Sequence, residues 1–535
     1  MTIINYFKKR YLLLILVILY IVFSLLTFGD YGKTLDENMT YSNGFSLYNY
    51  WTTGKTGTGD NLLDPFIGIK DNSYSAFIYV IVTLFPGGAT IDNYHLFNCL
   101  MFLPILILAY EVTFRQTKKM HFSIIAPLFI LLIPRLAGDV PTNIKDLSFA
   151  ILYFASLSAI YLFTNSHKKW WKMLSLVILF SLAQGFRTLG FTLYPIYGLY
   201  YIWVAYKTQT KNNTKFKVKF KPLLLSLCRE LIIIFGLAFF LMVIRWPFLQ
   251  TDFINNFLFV IKGAKDFIWD GKMLYMGNFI LASQKPWHYL PVWLGITTPV
   301  FIMGLFTMAI LFVKKYLNNA LYLLFGFPIL LNLFLYFILN PIIYDGPRHF
   351  IFLLPLVGML ASLIFIDLIT YFRELKKGTK KIFVFLITSA VFVNILVVII
   401  DVLNLYPYQY IYFNRLIGGL SGAYKNFETD YWGASFKEAV TWLKTNEARS
   451  SGVPGVHGEK YTIYSCADPY ISTPYFTDNM IYVKDITQAE YFICYSRTND
   501  NVKILENAGL TENAELIHTI ERENVPLNFI YKISK

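Results

Sequence analysis

Charge is what this chain has least of. Only 15% of its 535 residues are Asp, Glu, Lys or Arg, and 56% are hydrophobic, whereas a soluble domain carries about 25% charged residues. A soluble globule of this size is thereby excluded. Long apolar runs recur from Tyr11 to Asp401, many of them near the ~20 residues that span a bilayer. Cysteine is also scarce, with four residues, too few for a disulfide scaffold. Cys99 and Cys228 fall at or near apolar runs. Cys466 and Cys494 each end a predicted strand and could pair if the tail lies in an oxidising compartment. No His and Cys spacing has the form of a zinc site. The first apolar run has a basic start but no small-residue cleavage site, Thr27-Phe28-Gly29 being a poor one, so it reads as an anchor.

A net charge of +14 would suit nucleic acid, but its placement argues against that partner. Lys and Arg gather in short clusters between apolar runs: Lys8-Lys9-Arg10, Arg115 with Lys118-Lys119, Lys168-Lys169 with Lys172, Lys207 to Lys221, Lys314-Lys315 and Arg373 to Lys381. Basic loops of this kind stay on the cytoplasmic side. The apolar runs near 11–28, 95–114, 121–134, 147–165, 172–184, 188–206, 223–249, 288–313, 319–340, 347–370 and 382–402 then thread as about eleven crossings. The N-terminus is expected inside and the tail outside. The fold class is an α-helical polytopic membrane protein, with a transmembrane domain over 1–402 and a small extracytoplasmic α/β domain over 403–535. In that tail a helix is predicted from Ser435 to Thr445, with Phe436, Ala439, Val440 and Leu443 on one face. Strands are predicted at Tyr461 to Cys466, Met480 to Val483, Tyr491 to Tyr495, Glu515 to Ile520 and Leu527 to Ile533.

The outward loops hold the candidate chemistry. The first, 29–94, places Asp36 and Glu37 side by side in a loop of Gly, Asn, Ser and Tyr. Neighbouring carboxylates at a bilayer surface repel each other unless a cationic or hydroxylic partner is present. Later in that loop, Ser73 to Leu84 reads as a helix lying at the interface. The second loop, 134–146, crowds Arg135, Asp139, Asn143, Lys145 and Asp146 together, where unpaired burial costs several kcal/mol per ion. Arg135 snorkelling at a helix end and Asp146 capping the next helix are the plainer readings. Arg187 follows in the turn Gln184-Gly185-Phe186-Arg187, and Arg348 and His349 in the turn beginning at Asp345. The planar fork of arginine suits a phosphate; His349 reads more simply as a packing residue. Trp287, Tyr289 and Trp293 in the fourth loop form either an interfacial aromatic belt or a sugar-stacking wall, and Trp287 and His288 are candidates to bind the lipid phosphate or sugar.

Six segments in order carry a resemblance: LDEN (35–38), PRLAGDVPTNIKD (134–146), QGFRTLG (184–190), PWHYLPVWLGITTP (286–299), YDGPRHFIFLLP (344–355), and YPYQYIYFN with FETDYWGASFKEA (406–439). Together they resemble the GT-C superfamily of membrane glycosyltransferases, and within it the protein O-mannosyltransferase and aminoarabinose transferase branch. The resemblance implies an inverting transfer of a sugar from a polyprenyl phosphate to an acceptor at the outer face of the membrane; a bacterial inner membrane is the expected location, and protein, lipid and glycan acceptors stay open. It implies Asp36 as the base for the acceptor hydroxyl and Glu37 as the neighbour that positions acceptor or sugar. Arg348 matches the lipid-phosphate ligand best, with Arg135, Lys145 and Arg187 as further candidates. Asp139 and Asp146 compete for a second acidic position. No cofactor or metal is implied as a requirement, although a divalent ion bridging Asp36 and the phosphate is compatible with it. Two rivals stand beside this reading. One is an oligosaccharide ligase or polymerase. The other is a lipid or solute transporter, which would show internal repeats that this chain lacks.

Overall fold

The computed structural model describes residues 10–534 apart from 55–73, 165–168, 212–219, 266–268, 270, 377, 451–459 and 498–499. The basic residues Lys8-Lys9, Lys168 and Lys215 to Lys219, and the part of the first loop over 55–73, lie outside the described residues. Each of the apolar runs read from the sequence carries a helix. Six described helices are long and apolar enough to cross a membrane: Ile91–Thr117, Ile144–Phe163, Lys221–Ile244, Ala320–Leu339, Arg348–Glu374 and Thr379–Leu405. Shorter apolar helices include Tyr11–Thr27 (α1), Met120–Leu131 and Val300–Leu311. Arg10, just before α1, pairs with Glu111 on the helix Leu103–Thr117, one bond measuring 2.8 Å.

Behind α1 the sequence reading needs correction. Asp36 and Glu37 do not sit in a loop; they open the helix Leu35–Thr53 (α2). The reason is a capping box. The Glu37 carboxylate accepts from the Thr34 backbone N–H at 2.6 Å and from the Thr34 hydroxyl at 3.0 Å, satisfying a donor that the first helical turn leaves free. The interfacial segment forms the helix Tyr74–Thr83 (α3), packed against α2 through Phe45, Tyr48 and Tyr79. The fourth outward loop is more structured than expected. It carries the helix Phe253–Lys265 (α4) and a hairpin pairing Lys272–Tyr275 (β1) with Asn278–Leu281 (β2).

The tail follows its sequence pattern closely. The helix Phe436–Ser450 (α5) buries Phe436, Ala439, Val440 and Leu443, all at 0% exposure. The sheet contains Tyr461–Ser465 (β3), Met480–Tyr482 (β4), Tyr491–Tyr495 (β5), Ala514–Arg522 (β6) and Val525–Ile533 (β7), in the order β4-β3-β5-β7-β6. The first three pair in parallel, and β5-β7-β6 pair antiparallel, with Tyr491 opposite Lys532. Cys466 and Cys494 form a disulfide at the ends of β3 and β5.

No gap separates this domain from the helices. One hydrophobic core includes Ile133, Leu136 and Phe350 together with Tyr410, Trp432, Val440 and Ile530. The approach is closest at glycines. A Cβ on Gly138 would lie 2.0 Å from the Tyr410 backbone nitrogen, and one on Gly32 would lie 2.0 Å from the Ala434 carbonyl oxygen. The Leu35 N–H donates to the Trp432 carbonyl at 3.1 Å, and the Lys437 ammonium donates to the Tyr31 carbonyl at 3.2 Å. The segment 432–437 therefore holds the start of α2 from behind.

Candidate active site

The two acids at the start of α2 have opposite surroundings because successive helical positions point about 100° apart. Glu37 turns inward: its carboxylate also accepts from the Tyr41 hydroxyl and lies 2.8 Å from His95 Nε2, and both Glu37 and His95 side chains are at 0% exposure. Its contacts hold the helix together. Asp36 keeps 51% of its side chain exposed and forms an ion pair with the buried Arg348.

Arg348 is the hub of the site. It opens a short 3-10 segment, Arg348–Leu353, directly after a turn in which Asp345 and Gly346 both have positive φ. It pairs with Asp36 and, at 3.2 Å, with Asp345. Its guanidinium lies 4.7 Å from the Tyr344 ring centre and 5.6 Å from that of Trp432. The second oxygen of Asp345 accepts from Arg497 at 2.6 Å, and Arg497 lies 3.4 Å from Glu428. Burial pushes Glu428 up to about 8, against the opposing pull of Arg497.

The second-loop residues are gathered here in part. Its first half forms the helix Pro134–Asp139, which Asn143 follows as N-cap of the helix Ile144–Phe163; Asn143, not Asp146, does the capping. Arg135 is fully buried, donates to the Tyr410 carbonyl and lies 4.9 Å from the Tyr431 ring and 5.8 Å from that of Trp293. Asp139 is buried and interacts electrostatically with Arg135 and Arg348; burial pushes it up to about 6. Asp146 forms an ion pair with Arg187. Arg187, Arg348 and Lys145 all act electrostatically on His349, whose ring packs edge-on against Tyr344 at 4.9 Å. Beside Arg348, His349 thus feels two further cationic charges, of Arg187 and Lys145, with Arg187 held by Asp146.

The aromatic cluster of the fourth loop divides. Trp287 is 70% exposed and His288 bonds the Tyr275 hydroxyl at 2.6 Å; neither is in contact with Arg348 or Asp36. Tyr289 and Trp293 are fully buried, so they form neither a belt nor an open wall. Tyr289 accepts from the Gly346 N–H at 3.2 Å and so steadies the turn before Arg348. Sequence reasoning missed Asp345 as a ligand of Arg348, and missed Arg497 altogether, because Arg497 is 149 positions from Arg348 in a different domain. Glu428 and Asp430 both lie in the segment FETDYWGASFKEA. Asp430 turns out to cap its own turn, accepting from Gly433 N–H at 2.9 Å and Tyr410. Among the described residues no three His, Cys, Asp or Glu side chains converge as a metal-ligand set.

No protein-family model and no curated protein matches the chain by sequence. Solved structures do resemble it in fold. The crystal structure of ArnT from Cupriavidus metallidurans bound to undecaprenyl phosphate is 12% identical, with a TM-score of 0.48, covering 96% of this chain and 97% of that one. The oligosaccharyltransferase of Archaeoglobus fulgidus in the apo form is also 12% identical, with a TM-score of 0.46, covering 90% of this chain and 66% of its own.

Proposed function

We propose that this protein is a membrane glycosyltransferase that moves a sugar from a polyprenyl-phosphate donor to an acceptor hydroxyl, with inversion, at the outer face of a bacterial inner membrane. The observation that carries this reading is the Asp36–Arg348 pair. A half-exposed carboxylate is fixed in direction by a buried guanidinium, and His349, next to Arg348 in the chain, feels the charges of Arg187 and Lys145. An alcohol is a poor nucleophile, so a base must take its proton as the new bond forms. A departing phosphate needs cations aimed at its growing charge.

In this mechanism the acceptor oxygen attacks the anomeric carbon while its proton passes to Asp36. The bond from that carbon to the phosphate oxygen breaks, and the lipid phosphate leaves with the electron pair. Arg348 holds Asp36 in line and faces the phosphate with Arg187 and Lys145. His349 packs within this group of cations, and Arg135 and Asp139 support it from beneath. Glu37 acts through the helix rather than on the sugar. A single attack on the face opposite the leaving phosphate inverts the anomeric centre, and a protein, lipid or glycan hydroxyl would serve equally as acceptor.

The test is sugar transfer by purified, reconstituted protein from a panel of polyprenyl-phosphate sugars, with a cell-envelope extract as acceptor source. Consumption of one donor by wild type but not by Asp36→Asn supports the reading. Equal consumption by both would move the base elsewhere, and binding without consumption would favour a transporter.

A further inference from the structure

The geometry points to Arg497, on the loop after β5, as a positioning residue of the Asp36–Arg348 centre, so that the active site is completed by the C-terminal domain. This inference rests on the glycosyltransferase reading. Arg497 is only 14% exposed, although it belongs to a domain that could have remained a separate solvated lobe. Its guanidinium is fully committed. One nitrogen donates to Asp345 at 2.6 Å, another to the Tyr431 carbonyl at 3.1 Å, and the third lies 3.4 Å from Glu428. A flat five-donor fork can hold three such partners at once; an ammonium cannot hold them in one plane.

Two connections run from Arg497 to Arg348. The first is the Asp345 carboxylate, which gives one oxygen to Arg497 and the other to Arg348. The second is a stacked ring pair: Trp269 lies flat on Tyr344, centres 4.4 Å apart with 7° between planes. Arg497 is 5.8 Å from the Trp269 ring and Arg348 is 4.7 Å from the Tyr344 ring. Asp345 is buried in a turn with positive φ at two successive residues, and its carboxylate is held from both sides, by Arg348 and by Arg497. Without Arg497 the buried Asp345 would have Arg348 as its one ion-pair partner among the described residues and would draw it away from Asp36. Arg497 therefore sets how far Arg348 reaches toward the base, without touching substrate itself.

The experiment compares wild type, Asp36→Asn, Arg497→Gln, Arg497→Lys, Asp345→Asn and the double variant Asp345→Asn/Arg497→Gln. Each is reconstituted and supplied with undecaprenyl phosphate carrying one radiolabelled sugar at a time. Arg522→Gln is the control, since Arg522 also ties this domain down, through Glu438 at 2.7 Å and the Tyr406 carbonyl at 2.9 Å, but away from the centre. The expected result is a fall in kcat of roughly 10- to 100-fold for Arg497→Gln, the scale of a small misplacement of a reacting group, with KM for the lipid donor changed by less than about threefold. Arg497→Lys should recover part of it. The double variant should be no slower than the slower single variant, because the two residues act as one unit. Full kcat in Arg497→Gln, independent losses that multiply in the double variant, or an equal loss in Arg522→Gln at matched Tm would overturn the inference while leaving the function intact. Absence of turnover by wild type on every sugar would remove both.

Discussion

At the scale of single residues, Asp36 and Glu37 show how one position along a helix separates chemistry from architecture. Asp36 contributes little to the fold, since its carboxylate is half exposed and a first-turn acid is worth about 0.3–1 kcal/mol. Asp36→Asn is expected to lower turnover by 10²-fold or more with Tm nearly unchanged, a pairing that a kinetic assay and a thermal melt in detergent check together. Glu37→Ala is the converse. It removes the cap on Thr34 and strands His95 and Tyr41, and should cost roughly 2–4 kcal/mol from a lost cap and unsatisfied buried partners. Its activity per folded molecule should survive better than that of Asp36→Asn. Glu428 gives a pH signature. Burial raises it to about 8, so the native state keeps a proton that the unfolded chain releases near the ordinary carboxylate pKa. Its contribution is therefore most favourable below about pH 4.5 and is lost as pH rises toward about 8. Glu428→Gln should gain in Tm relative to wild type between pH 5 and pH 8; a constant difference would show that Glu428 titrates normally.

At the scale of elements, the contact that matters lies between 29–35, which leads into α2, and 431–437, which leads into α5. It is made by backbone: Leu35 to Trp432, and Gly32 against Ala434. The helix Pro134–Asp139 meets Tyr410 in the same way through Gly138. Neither interface has room for a methyl group, and the obstructing atoms are main chain, so relief requires whole segments to move. Gly32→Ala and Gly138→Ala should each destabilise by about 1–3 kcal/mol or more and lower kcat. Gly29→Ala, which meets no atom within 4 Å, should do neither. Comparing Tm and turnover across the three variants tests whether these backbone contacts seat the start of α2.

At the scale of the whole molecule, the C-terminal domain packs onto the helices and reaches the Arg348 cluster through Arg497 and Asp345. The Cys466–Cys494 disulfide closes a loop of sequence separation 28, and the segment after Cys466 reaches the start of α2. The Tyr470 hydroxyl donates to the Leu35 carbonyl at 3.0 Å, and the Lys33 N–H donates to the Tyr475 hydroxyl at 2.7 Å. A loop of this size is worth about 3–4 kcal/mol in the chain-entropy account. Cys466→Ser should shift mobility on a non-reducing gel and lower both Tm and kcat. Unchanged mobility in either single-cysteine variant would show that the pair is not formed.

The sequence by itself determined the membrane class, the helical runs, the strands of the tail and the identity of Asp36 and Arg348 as candidates. Hydrophobic period and charge placement are local properties, and burial in bilayer or core acts on them directly. It also brought Arg135, Asp139, Lys145, Asp146, Arg187 and His349 into view, because charge in an apolar chain is conspicuous. Tertiary structure alone decided that Glu37 faces inward, that Trp287 and His288 stand apart from the Arg348 hub, and that Tyr289 and Trp293 are core. It alone joined Asp345, Arg497 and Glu428 to Arg348. Those relations depend on which segments, most of them distant in sequence, approach within hydrogen-bond distance, and no periodicity along the chain encodes that approach.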